Sequence, residues 1–187
     1  MNNFEIIILA LALVFNSWSS YINAGIVLTA EPAFRKVQYT GIMFLIQFIL
    51  AGAGIWIGFK VGSIEVKVNM LISLSIMLIF GLKVLFTGIR AQTEEKAFDY
   101  TDNKVTAFAA LAEGITPFVI GIAIGLLSLS VYLHWFLIGI FLLVGNLAGM
   151  FAASRMGINS LKLRFAPIGG LLLLAASIKL TLNLTSF

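Results

Sequence analysis

The sequence predicts an all-α polytopic membrane protein, six transmembrane helices arranged as two inverted three-helix repeats. Three observations predict it. Of the 187 residues, 60% are hydrophobic and 11% charged, whereas soluble domains are about half apolar and about a quarter charged. Six stretches each approach the length of about 20 mostly apolar residues that a bilayer crossing requires. Residues of the first half also recur in the second half at a nearly constant offset.

The six stretches are 6–29, 39–60, 68–89, 105–129, 132–154 and 165–186. Little chain remains between them, which leaves no room for a soluble domain. The absence of cysteine excludes disulfides and thiolate metal sites. A pI near 9.5 could suggest nucleic acid in a soluble protein. Here the basic residues sit mostly between the apolar stretches, where topology accounts for them. The expected partners are therefore the lipid bilayer and a small cation or solute, with no nucleic acid, and a homodimer stays open. The first five residues, Met1-Asn2-Asn3-Phe4-Glu5, lack the positive segment that opens a signal peptide. The segment is expected to be retained as the start of helix 1.

Orientation follows from lysine and arginine near the helix ends. Loops 1, 3 and 5 hold Arg35, Lys36, Arg90, Lys96, Lys104, Arg155, Lys162 and Arg164, whereas loops 2 and 4 hold Lys60 and Lys67. Eight against two places loops 1, 3 and 5 in the cytoplasm, with both termini outside a bacterial inner (plasma) membrane.

The halves correspond residue by residue. In helix 2, Gly54, Gly58, Lys60 and Gly62 are followed 95 positions later by Gly149, Ala153, Arg155 and Gly157 of helix 5. Gly81-Leu82-Lys83 in helix 3 matches Ser177-Ile178-Lys179 in helix 6, the lysines being 96 apart. Trp18 and Gly25 in helix 1 match Phe118 and Gly125 in helix 4, 100 apart. Three helices per copy turn the second copy upside down, and such transporters bind their cargo near the midplane. Residues 1–90 and 105–187 are thus read as the repeats and 91–104 as a polar cytoplasmic linker. Glu94, Glu95, Asp99 and Asp102 of that linker lack calcium-loop spacing. Glycines spaced by four let membrane helices approach closely, so they are read as packing residues. The sequon Asn183-Leu184-Thr185 abuts the membrane and is read as chance.

Polar side chains inside membrane helices are costly and often functional. Asn16 lies about ten residues into helix 1, in a polar stretch that continues through Ser17, Ser19, Ser20 and Asn23. Glu113 and Thr116 lie at similar depth in helix 4, Gln47 in the first half of helix 2 and Asn146 in the middle of helix 5. Pro117 has no amide hydrogen and so frees the Glu113 carbonyl. Carboxyl and carbonyl at one broken turn suit a cation or a proton, though a simple kink satisfied by Thr116 or water would look the same. Helices 1 and 4 are expected to cross near the centre, bringing Asn16 close to Thr116. Lys83 and Lys179 either snorkel to their nearer interface or pair with Glu113. His134 is expected in loop 4, within an interfacial aromatic cluster with Tyr132 and Trp135.

These residues resemble a known family. The three-plus-three helices, Leu9-Ala10-Leu11-Ala12-Leu13, Phe44 to Gln47, Gly81-Leu82-Lys83, Phe98-Asp99-Tyr100 and Ile120-Gly121-Ile122 are similar to the MntP-type manganese exporters, within the lysine-exporter superfamily. The resemblance covers nearly the whole chain. It implies a metal site on an aspartate in helix 1 and another in helix 4. Here the aligned positions are Asn16 and Thr116, so both aspartates are missing, with Glu113 one turn away.

The expectation is a secondary transporter rather than an enzyme, since no nucleophile–base constellation is present. It would export a cation, with Mn2+ as the transported ion and no resident cofactor. Asn16, Glu113 and Thr116 would hold the metal, and Ser20, Gln47 and Asn146 would complete the binding shell. Glu113, Lys83 and Lys179 would supply coupling or structural charge. Two alternatives remain: export of a small organic solute, or a non-transporting paralogue that has lost the metal site.

Overall fold

The structure, a computed structural model, describes residues 3–62, 65–90, 102–127, 131–156 and 165–185. They form α1 (Asn3–Val27), a 3-10 turn (Leu28–Ala30), α2 (Ala33–Val61), α3 (Val66–Arg90), α4 (Asn103–Leu127), α5 (Val131–Met156) and α6 (Ala166–Thr185). This is the all-helical polytopic membrane architecture expected. Five of the helices are long and apolar enough to cross a bilayer, and α6 adds a shorter apolar stretch, Ala166–Lys179.

Several boundaries differ from the apolar stretches because helix formation does not stop where hydrophobicity does. Pro32, in extended backbone, starts α2 six residues before its apolar run, so Arg35 and Lys36 are helical. Lys36 is buried, and its ammonium donates to the Thr29 carbonyl at 3.3 Å, which ties α2 to the end of α1. Asp102 caps α4 by accepting from the Lys104 amide at 2.8 Å, a helix-start role for a residue read as linker. His134 is not in a loop. It lies one turn into α5 and is only 4% exposed. Its neighbour Trp135 also turns inward, stacking on Phe48 at 4.6 Å and donating to the Phe48 carbonyl at 3.0 Å. Of the expected aromatic cluster, only Tyr132 is well exposed, at 83%. Residues 91–101, Gly157, Lys162 and Arg164 lie outside the described residues, as do the sequon's side chains.

Burial separates inner from outer helices. Half of the most apolar window of α1 and 56% of that of α4 are buried, against 22% in α3. The shared core is Leu9, Leu13, Ile55, Met77, Ile120, Ile124, Ile138 and Leu142.

Residue contacts fix the relative directions of the helices. α2 and α4 run parallel, with Gly54 on the Phe118 carbonyl, Gly58 on the Ile122 carbonyl and Gly125 on the Ile55 carbonyl. A Cβ on Gly121 would lie 2.6 Å from the Ala51 carbonyl oxygen, so only glycine lets these backbones meet. α1 and α5 are also parallel: Trp18 donates to the Gly145 carbonyl at 2.8 Å, and Gly25 packs on the Met150 carbonyl. α3 and α6 run antiparallel, with Gly81 against Leu174 and Gly88 against Pro167. α1 and α6 are antiparallel too, since Phe15 and Trp18 meet Phe165 while Glu5 meets Lys179. The glycines therefore pack helices. α1 and α4, in contrast, barely touch each other.

Candidate functional site

The polar stretch of α1 faces three other helices. One helical turn separates Ser17 from both Ser20 and Tyr21, so the three share the inward side. Ser20 donates to Oε1 of Glu113 at 2.6 Å, a short bond that joins α1 to α4 where the two helices otherwise diverge. This is the single hydrogen bond of the Glu113 carboxyl among the described residues.

A second branch leaves α1 at Ser17. Its hydroxyl lies 2.9 Å from Oδ1 of Asn146 and 3.0 Å from the Val14 carbonyl. Asn146 Nδ2 donates to Oε1 of Gln47 at 3.4 Å. Gln47 and Asn146 are both completely buried. The chain therefore links α1, α5 and α2 and ends at Gln47 Nε2, which has no hydrogen-bond partner among the described residues. Tyr21, also fully buried, stands between the branches. Its hydroxyl has no hydrogen-bond partner among the described residues. Its ring meets Tyr39 edge-on at 5.9 Å, and Leu28, Met43 and Met150 complete an apolar cover on that side.

Ser20, Gln47, Glu113 and Asn146 thus gather around the inward side of α1. Thr116 is buried one turn beyond Glu113, beside Pro117. The backbone of Asn16 packs against α6, its nitrogen 2.9 Å from a Cβ built on Gly169. No hydrogen bond joins Asn16 to Thr116 among the described residues. The lysines stand elsewhere. Lys83 is exposed, its ammonium 5.1 Å from the Phe80 ring centre, and Lys179 pairs with Glu5 at 3.3 Å. Neither pairs with Glu113, because each has a nearer partner toward its own end of the bundle.

Tyr21 and Ser17 are the site residues that the sequence undervalues. Tyr21 reads as an ordinary large core residue. The signal is helical spacing from Ser17, which stands three residues before Ser20 and four before Tyr21 and so puts the three hydroxyls on one side of α1.

Chemically the cluster offers one carboxyl, amide oxygens and hydroxyls, the hard oxygen ligands that suit Mg2+, Ca2+ or Mn2+. Among the described residues no three His, Cys, Asp or Glu side chains converge on a point. A divalent ion here would keep part of its water shell.

Residues 31–181 match a protein-family model described as "Putative manganese efflux pump". The chain belongs to this MntP family. Its MntP relatives carry the same description. One from Methanobrevibacter smithii is 28% identical over 180 residues, 96% of each chain. One from Yersinia enterocolitica is 26% identical over 176 residues, 93% of this chain and 92% of the relative. One from Methanothermobacter thermautotrophicus is 30% identical over 112 residues, 60% of this chain and 59% of the relative. No solved structure matches. The stretch matched by the MntP model holds Gln47, Glu113, Thr116 and Asn146, and begins after the polar stretch of α1.

Proposed function

We propose that this chain is a secondary transporter that exports a divalent cation, Mn2+ being the cargo in its relatives' names. The supporting observation is the Ser20–Glu113 contact: an acidic side chain deep in the bundle, hydrogen-bonded across two helices that barely touch. An ionised carboxyl at that depth costs on the order of 3 kcal/mol. A cation that binds it offsets that cost, and so does a proton, so the two compete. Glu113 takes the ion, the Glu113 carbonyl freed by Pro117 supplies a second oxygen, and the hydroxyl and amide groups around α1 orient the ion's remaining waters.

Alternating access would follow from two inverted halves, 1–90 and 105–187, joined by 91–104. Paired contacts favour this. Gly54 meets Phe118, and the residues offset by 95 and 100, Gly149 and Trp18, also meet. Gly125 packs on the Ile55 carbonyl, and their counterparts Gly25 and Met150 repeat that contact. The basic residues favour both termini outside a bacterial inner membrane.

A second reading, export of a small organic solute, is favoured by the free Gln47 Nε2 donor and the Tyr21 hydroxyl, which suit an acceptor oxygen better than a cation. Mn2+ flux in vesicles holding wild type or Glu113→Gln, across a pH series, tests the proposal. Wild-type flux should fall as the medium is acidified, and the variant should lose both most of the flux and the pH dependence. Equal, pH-independent flux in both would overturn the role of Glu113. No Mn2+ flux in wild type would turn the case to the solute or to a non-transporting paralogue.

A further inference from the structure

The bundle holds an apolar cavity at the end where α1 begins and α4 ends. It measures about 250 Å³ and is lined by Ile8, Met77, Leu127 and Ala176, together with the Glu5–Lys179 ion pair. We propose that this cavity is a phospholipid site, which takes one acyl chain from the surrounding bilayer while the headgroup lies beside Glu5 and Lys179. The proposal goes beyond transport and does not depend on the cargo.

Packing explains why the space exists. α1 and α4 barely touch, and α6 brings only small side chains to the gap. It is leucine from Leu171 to Leu174 but presents Ala175 and Ala176 here. Two methyl groups leave open what leucines would fill. Protein interiors hold few voids larger than a water molecule, because a lining without neighbours forfeits its dispersion contacts. Water is a poor occupant: an apolar cavity of about 150 Å³ stays dry and takes up a benzene-sized guest instead. Hydrocarbon is at hand. Ala175 is exposed on α6, so the cavity opens sideways toward lipid, while Met77 on the opposite wall is 1% exposed.

The lining also has the polarity of a lipid. Glu5 lies in the first turn of α1, and Ile8 is about one turn further in. α6 runs antiparallel to α1, so Ala175 and Ala176 are likewise about one turn further in than Lys179. Met77 lies deeper, about 16 Å along α3 from its start at Val66. Charge toward the helix ends and hydrocarbon below it is the layout of a headgroup over a chain. The pair is held at 3.3 Å, with the Lys179 side chain 44% exposed. A zwitterionic headgroup, its phosphate toward the lysine and its amine toward the glutamate, adds no net charge there. Neither Glu5 nor Lys179 has to leave its existing partners. The chain leaves one hydrocarbon for another, so binding draws on packing rather than on the hydrophobic effect.

The test is native mass spectrometry of the full-length protein, delipidated in detergent and titrated with dioleoyl phosphatidylethanolamine. Wild type should bind a first phospholipid about tenfold more tightly than any later one. Ala176→Phe and the smaller Ala176→Leu fill the cavity, and each should remove that preference. Ile79→Phe, on an exposed position of α3, should keep it. Dioleoylglycerol, which has the chains without the headgroup, should bind wild type more weakly than the phospholipid does. Replacing both charges, Glu5→Gln with Lys179→Gln, should bring the two lipids level. A wild type with no preferred first lipid would overturn the proposal, and so would a folded Ala176→Leu or Ala176→Phe protein that keeps the preference. A phospholipid advantage that survives the loss of both charges would overturn the placement of the headgroup.

Discussion

Ser20 and Glu113 join two helices through one hydrogen bond, and its worth can be measured. A bond to a carboxyl contributes about 1.5–3 kcal/mol when the acceptor is charged. Ser20→Ala should therefore weaken Mn2+ binding about tenfold or more, while Ser19→Ala, on an exposed position of the same helix, should leave it unchanged. Equal effects in isothermal titration would show that Ser20 acts only through packing. Much of this site was legible. Serine, glutamate, glutamine and asparagine are conspicuous in apolar helices, and the structure pairs Ser20 with Glu113 and Asn146 with Gln47. Asn16 is legible only as a depth in α1, and the structure adds that its backbone packs against Gly169 of α6. Sequence depth gives height along a helix and not the direction a side chain takes. The destinations of Lys83 and Lys179 depended on neighbours from other helices and were open for the same reason.

At the level of helices, the α2–α4 contact is the most restrictive. A methyl group on Gly54 would overlap the Phe118 carbonyl, and overpacking of this kind costs about 1–3 kcal/mol. Gly54→Ala should lower the thermal midpoint in detergent by several degrees. Gly41→Ala, on the same helix with nothing within 4 Å of the added atom, should hold or raise it, because alanine is the better helix former by about 1 kcal/mol. A harmless Gly54→Ala would mean the two helices are less tightly opposed than described. The spacing of glycines by four revealed that helices meet closely. It could not reveal that α2 chooses α4 and α1 chooses α5, because the glycine pattern carries no partner. Element ends were equally hidden where polar residues continue a helix, as at Arg35 and Lys36, and where aromatic residues turn inward, as at Trp135.

For the molecule as a whole, topology is the open expectation with the simplest test. A periplasmic reporter fused after Phe187 should be active and a cytoplasmic one silent. The opposite result would invert the bundle and reassign which mouth faces the cell.

Backbone-to-backbone packing also has a mechanical consequence. Two helices whose carbonyls rest on each other's glycines have no slack between them, so α2 and α4 must travel as one beam. Slippage is easier between α1 and α4, which barely touch and which the Ser20–Glu113 bond spans. Occupancy of Glu113 would then latch or release that contact directly, without a relay through the rest of the bundle. Spin labels on the exposed positions Leu45 and Leu111 should keep one distance with and without Mn2+. Labels on Ser19 and Leu111 should show a distance that shifts. A moving first pair and a still second pair would place the slip elsewhere.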